Sequence, residues 1–132
     1  MVDAKKLAEN IADKIIGWRR ELHKIPEVGL ETPKTAAFIT SSLEQMGIEV
    51  ETGVAGHGVV ALIRGEKRGK TIGIRADIDG LAIKEETGLP FSSLHKGNMH
   101  ACGHDAHAAM ALGAAKILQG KRGEIAGNVK FI

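Results

Sequence analysis

The sequence predicts an α/β fold from three features. Apolar residues recur at helical spacing in two N-terminal segments. The middle of the chain then changes to the alternation of strands, and a small-residue helix and an apolar strand start follow towards the C-terminus. With 132 residues, 43% apolar and 26% charged, the chain has the size and composition of one compact globular unit with an aliphatic core.

From Lys5 to about His23, the residues Leu7, Ile11, Ile15, Trp18 and Leu22 fall on one face of a helix, with Asp3 as its N-cap. Ile25-Pro26 breaks that helix, and a loop runs through Gly29. Thr32 as N-cap and Pro33 at the first position announce a second helix. Its inner face is Ala36, Ile39, Leu43 and Met46, and Gly47 ends it. Ile48-Glu49-Val50-Glu51-Thr52 alternates like a strand with one wet face, and Gly58 to Ile63 reads as a more buried strand. Thr71 to Asp77 is expected to pair with Gly58 to Ile63 as a hairpin, with the charged stretch Arg64 to Lys70 as a solvated turn. Asp79 to Met99 contains Gly80, Gly88, Pro90 and Gly97 with little periodicity, which predicts a long structured loop of the kind that carries function. Ala106 to Leu118 is helical, Gln119 to Gly123 is a polar link, and Asn128 to Ile132 starts a strand whose continuation is expected beyond it.

Composition excludes several function classes. A net charge of +2 is too mild for a nucleic-acid surface, and Trp18, Phe38, Phe91 and Phe131 are the only aromatics available to stack on bases. No apolar run approaches the ~18 residues of a membrane span. Met1 to Lys6 leads into an amphipathic segment rather than a signal-peptide core. Cys102, being alone, builds no internal disulfide, so a reducing cytoplasmic location is expected.

The chemistry is concentrated in Met99-His100-Ala101-Cys102-Gly103-His104-Asp105-Ala106-His107. Thiolate, imidazole and carboxylate are the donors of a borderline-soft divalent metal. The plain alternative is a run of surface polar residues with a chance cysteine. In an extended approach His100, Cys102 and His104 project to one side, and Gly103 gives the backbone unusual freedom. Once the helix begins, His104 and His107 share a face. A helix N-terminus favours the thiolate of Cys102, and Asp105 serves either as a cap or as an acceptor for a ligating imidazole N–H. Cys102 and His104 make two ligands, whereas a stable site needs at least three. Either remote residues of this chain close the site or the chain is incomplete.

Four segments, in this order, carry a family resemblance: Trp18-Arg19-Arg20-Glu21-Leu22-His23-Lys24-Ile25-Pro26-Glu27, Gly73-Ile74-Arg75-Ala76-Asp77-Ile78-Asp79-Gly80-Leu81, Thr87-Gly88-Leu89-Pro90-Phe91 and His100-Ala101-Cys102-Gly103-His104-Asp105. Together they resemble the metal-dependent amidohydrolases of the aminoacylase/carboxypeptidase superfamily, in the branch of N-acyl-amino-acid amidohydrolases, hippurate hydrolases and auxin-conjugate hydrolases. The resemblance implies that residues 1–132 are the N-terminal portion of a zinc-peptidase-like three-layer domain with a mixed sheet flanked by helices. It implies a site for two divalent ions (Zn, Mn, Co or Ni) with Cys102 and His104 as ligands, and Asp77, Asp105 and His107 as groups that orient them. Arg75 stands where the wider superfamily has a ligating histidine, and the alternative for Arg75 and Asp77 is a structural ion pair. Ala82 replaces a proline common in relatives. His23 and His57 read as structural or surface residues.

The family's general base and remaining ligands are expected beyond Ile132, so no catalytic residue is assigned within the chain. The inserted dimerisation domain is expected to be absent as well. The implied reaction is hydrolysis of the amide bond of small N-acyl amino acids by a metal-activated water, with the isolated 132 residues inactive. Two other classes stay open: a non-catalytic metal- or partner-binding module, and a thiol redox sensor at Cys102. Neither nucleic acid nor membrane is an expected partner. Self-association through sheet surface at Val59, Leu62, Ile72 and Ile74 is expected.

Overall fold

The computed structural model describes residues 3–132. Its helices are α1 (Ala4–Glu9), α2 (Ala12–His23), α3 (Pro33–Glu44) and α4 (His104–Gly120), and its strands are β1 (Glu49–Val54), β2 (Gly58–Arg64), β3 (Lys67–Ile74) and β4 (Ala126–Phe131).

The first predicted helix forms as two. Asp3 caps α1, its side chain accepting from the Lys6 N–H at 3.1 Å, but Ile11 leaves helical geometry at φ −121°, ψ 15°. Asn10, whose side chain competes for backbone hydrogen bonds, ends α1 beside a β-branched residue, and the helix restarts at Ala12. Thr32 and Pro33 occupy the predicted start of α3, yet the Thr32 side chain makes no capping bond. The buried Glu27 does this work from outside the helix, accepting from the N–H groups of Lys34 (3.1 Å) and Thr35 (2.8 Å) and from Thr35 Oγ1 (2.8 Å). A carboxylate there also meets the positive end of the helix dipole.

The predicted hairpin of β2 with β3 does not form. The strand order is β1-β2-β4-β3, with β4 antiparallel to β2 and parallel to β3, so that Ile63, Val129 and Ile72 line up across the three strands. The hairpin is instead β1 with β2. Glycines admit the inserted strand. A Cβ on Gly127, at φ +96°, would sit 1.9 Å from the Lys70 carbonyl oxygen, and one on Gly65 would sit 2.4 Å from the Gly127 carbonyl oxygen. The charged segment Arg64 to Lys70 is therefore only partly a turn, because β3 begins at Lys67.

Helices α3 and α4 pack on the sheet and on each other, and α1 and α2 pack on α4. Ile39 and Leu43 from α3, Ala108, Ala109, Leu112 and Ala115 from α4, and Ala61, Ile63, Val129 and Phe131 from the strands make the core. This is the expected α/β class, a mixed sheet flanked by helices. On edge strand β3, Ile72 is left 64% exposed.

The Asp79–Met99 segment is irregular but tied down. Leu81 and Met99 exchange backbone hydrogen bonds at 2.9 Å, Gly80 N donates to Glu27 O at 2.6 Å, and Leu94 N donates to Lys24 O at 2.8 Å. It is thereby laid against residues 24–28, the link between α2 and α3. No helix among the described residues is long and apolar enough to cross a membrane.

Candidate metal centre

The loop that carries Cys102 and the segment just after β3 meet at the N-terminus of α4. Gly103, at φ +118°, occupies the N-cap position in a conformation costly for other residues, and His104 is the first helical residue. Cys102 lies exposed just before it as a free thiol. His104 Nδ1 lies 2.8 Å from Asp79 Oδ1 and 3.1 Å from the Asp79 carbonyl oxygen. Both oxygens only accept, so Nδ1 carries a proton, and in the neutral ring Nε2 keeps its lone pair. This is the arrangement by which a carboxylate orients a metal-ligating histidine.

His107, one turn on, has its ring centroid 6.4 Å from that of His104. Its Nδ1 accepts from the Asp77 backbone N–H at 3.2 Å, with Asp77 Oδ2 at 3.6 Å. The Asp77 carboxylate pairs with the Arg75 guanidinium, so the ion pair weighed as an alternative is present alongside the contact with His107. Asp77, Asp79 and His104 also line a cleft of ≈ 750 Å³ whose apolar wall includes Ile39, Leu43 and Leu112.

Asp105 is placed differently from its expected role. Its carboxylate hydrogen-bonds to His23 Nδ1 (2.7 Å) and the Ala106 N–H (2.9 Å) and forms an ion pair with Arg19 Nε at 2.9 Å, with no bond to His104 or His107. Asp105 heads the stripe Ala108, Ala109, Leu112 on the core face of α4, whereas His104 and His107 lie on a neighbouring face. His23, read as structural or surface, is 2% exposed, and its other ring nitrogen meets Glu85 Oε1 at 3.0 Å. Burial works against the Glu85 carboxylate, yet bonds from Thr87, the Ser93 N–H and His23, with the charge of His23, bring its pKa down to about 2. His57 stays at the surface, 3.3 Å from Glu31.

His100 does not project beside Cys102. The backbone bends at Cys102 and Gly103, and His100 is 4% exposed, its ring centroid 6.3 Å from that of His23. Neither of its ring nitrogens has a hydrogen-bond partner among the described residues. Burial pushes its pKa below the usual imidazole range, with Asp105 opposing and His23 and His104 adding to the fall.

Asp79 and Glu85 are thus the residues that sequence reasoning missed, while His23, read as structural or surface, is buried. For Asp79 the signal was present, since it follows Asp77 by two at the end of β3. For Glu85 no local pattern marked it.

A divalent ion fits the donors present. Cys102 supplies sulfur and His104 a nitrogen already in the ligating tautomer. Among the described residues, no set of three or more His, Cys, Asp or Glu side chains is grouped to hold an ion.

Comparison with known proteins gives consistent matches. Peptidase family M20/M25/M40 matches residues 73–132. The N-acetyl-L-cysteine deacetylase of Bacillus subtilis (strain 168) is 46% identical over 119 residues, which are 90% of this chain and 29% of that protein. The N-acyl-L-amino acid amidohydrolase of Geobacillus stearothermophilus is 39% identical over 130 residues, 98% of this chain and 35% of that protein. Among solved structures, the Bacillus subtilis YXEP protein, a dinuclear metal binding peptidase from the M20 family, matches with a TM-score of 0.88 at 42% identity, covering 93% of this chain and 35% of that one. The chain spans about a third of the length of these curated relatives.

Proposed function

Because the chain belongs to peptidase family M20/M25/M40 through residues 73–132, we propose that it forms part of a metal-dependent amide hydrolase acting on small N-acyl amino acids. The observation that carries this reading is the hydrogen bond of His104 Nδ1 to Asp79, which leaves Nε2 of the neutral ring free as a donor, two residues along the chain from the exposed Cys102 thiol. Cys102 and His104 would be two of the ligands that hold the ion. Two ligands do not fix a coordination geometry, so they do not choose among zinc, manganese, cobalt and nickel. A divalent ion in this place supplies Lewis acidity, polarising an amide carbonyl and making water a nucleophile near neutral pH.

The chain's own residues prepare that chemistry. Asp79 keeps the His104 ring in one tautomer and one orientation, so no reorganisation is needed when the ion arrives. The Asp77 N–H engages His107 Nδ1, which puts the ring proton of neutral His107 on Nε2 and makes it a donor. We assign the general base and the remaining ligands to parts of the relatives' length that this chain does not span. The 132 residues alone should therefore hydrolyse N-acyl amino acids about 100- to 10,000-fold more slowly than a full-length relative, or worse.

Titration with Co(II) tests the ligand assignment. The protein should develop a thiolate-to-cobalt charge-transfer band that is absent in Cys102→Ser and weakened in His104→Ala. A band unchanged in Cys102→Ser overturns it.

A further inference from the structure

His23 sits where two separate restraints on His104 come together. It is the last residue of α2, 2% exposed, with one ring nitrogen 2.7 Å from Asp105 Oδ2 and the other 3.0 Å from Glu85 Oε1. An ionised carboxylate only accepts hydrogen bonds, so the ring serves both partners by carrying a proton on each nitrogen.

Each partner leads to the metal ligand by its own route. Asp105 is the residue after His104 and also forms an ion pair with Arg19, one turn before His23 on α2, so the first turn of α4 is held to α2 at two points. Glu85 organises the long loop, receiving Thr87 Oγ1 at 2.5 Å and the Ser93 N–H at 2.6 Å. That loop begins at Asp79, the acceptor for His104 Nδ1. One route sets the backbone of His104 and the other sets its ring. Phe91 packs edge-on against the His23 ring at 5.7 Å, with the Arg19 and Arg20 guanidinium groups 5.3 and 5.1 Å from the Phe91 ring. This cover keeps water from competing for the two carboxylates.

We infer that His23, as an imidazolium clasped between Asp105 and Glu85, is a positioning residue that holds His104 in the Nδ1-protonated tautomer with Nε2 free for a divalent cation. The assignment rests on the proposed ligand role of His104, and its test separates the two.

Long-range 15N–1H correlation of histidine-labelled, metal-free protein should show both His23 nitrogens protonated and His104 protonated on Nδ1 only. In His23→Gln, which can donate to one carboxylate but not to both, His104 should show mixed tautomers, and the Zn(II) affinity measured against a chromophoric chelator should fall about 10- to 100-fold. A wild-type His23 with one bare nitrogen overturns the inference. So does a folded His23→Gln whose His104 signals and Zn(II) affinity match wild type. Should that variant not fold, Glu85→Gln replaces it, keeping an acceptor for His23 but removing the charge. A several-fold loss of Zn(II) affinity is expected there, and an affinity within twofold of wild type overturns the positioning role. Wild-type protein that binds no Zn(II) while the His104 tautomer still depends on His23 supports the clasp and removes the ligand reading instead.

Discussion

The residues around the start of α4 face two environments. The side chain of Asp105 is 1% exposed, that of its partner His23 is 2% exposed, and that of Glu85, which meets the other nitrogen of His23, is 4% exposed, so carboxylates and imidazole answer one another. On the neighbouring side, Cys102 is exposed, and the side chains of His104 and Asp79 are 29% and 40% exposed. Adjacent residues of one turn therefore do different work. The inner group stabilises the joint between helix and loop, and the outer group keeps donors available. A buried ionic set is high-stakes because removing one member strands the others in a poor solvent for charge. The outer set loses little stability when altered, because water replaces a missing partner.

Truncation of the inner group should have the largest effect. Asp105→Ala leaves His23 and Arg19 without their shared acceptor, and about 3–5 kcal/mol of stability should be lost in urea unfolding. A loss under 1 kcal/mol would break the contrast between the two sides. The outer group should respond in affinity instead. Asp79→Asn removes the charge that orients His104, and Zn(II) binding should weaken about 10- to 100-fold with the unfolding midpoint nearly unmoved. A large fall in the midpoint would mean that Asp79 belongs with the inner set.

The smallest effect is one of pH. Glu85 titrates in the folded protein at about 2, below its ordinary 4.5, so the stability it contributes is present above 4.5 and lost as the pH falls from there towards 2. Glu85→Gln should flatten the acid limb of the stability profile over that interval and leave its shape near neutrality unchanged. An acid limb as steep as that of wild type would show that other carboxylates dominate.

Much of this was legible from short-range pattern. The Thr32-Pro33 start and the Gly47 stop of α3, the helix after Asp105 and the placing of Cys102 and His104 at its entrance all follow from spacings within a few residues. Even the division of the site was partly readable, since Asp105, Ala108, Ala109 and Leu112 form one helical stripe while His104 and His107 stand off it. A charged residue at the head of an apolar stripe signals a buried partner, although it does not say which one.

Sequence by itself thus determined the helices and strands, apart from the break near Ile11 and the starts of β3 at Lys67 and β4 at Ala126, and the residue types and spacing of the loop that carries Cys102 and His104. Those are properties of dihedral preference and periodicity, which act between neighbours. Only the tertiary structure decided that β4 slots between β2 and β3, that His23 meets Asp105 across 82 residues and Glu85 across 62, and that Asp79 meets His104 across 25. No local rule selects among distant partners. The choice is made by which pairings bury the apolar faces of all the elements at once while leaving no charge in the interior without its counterpart.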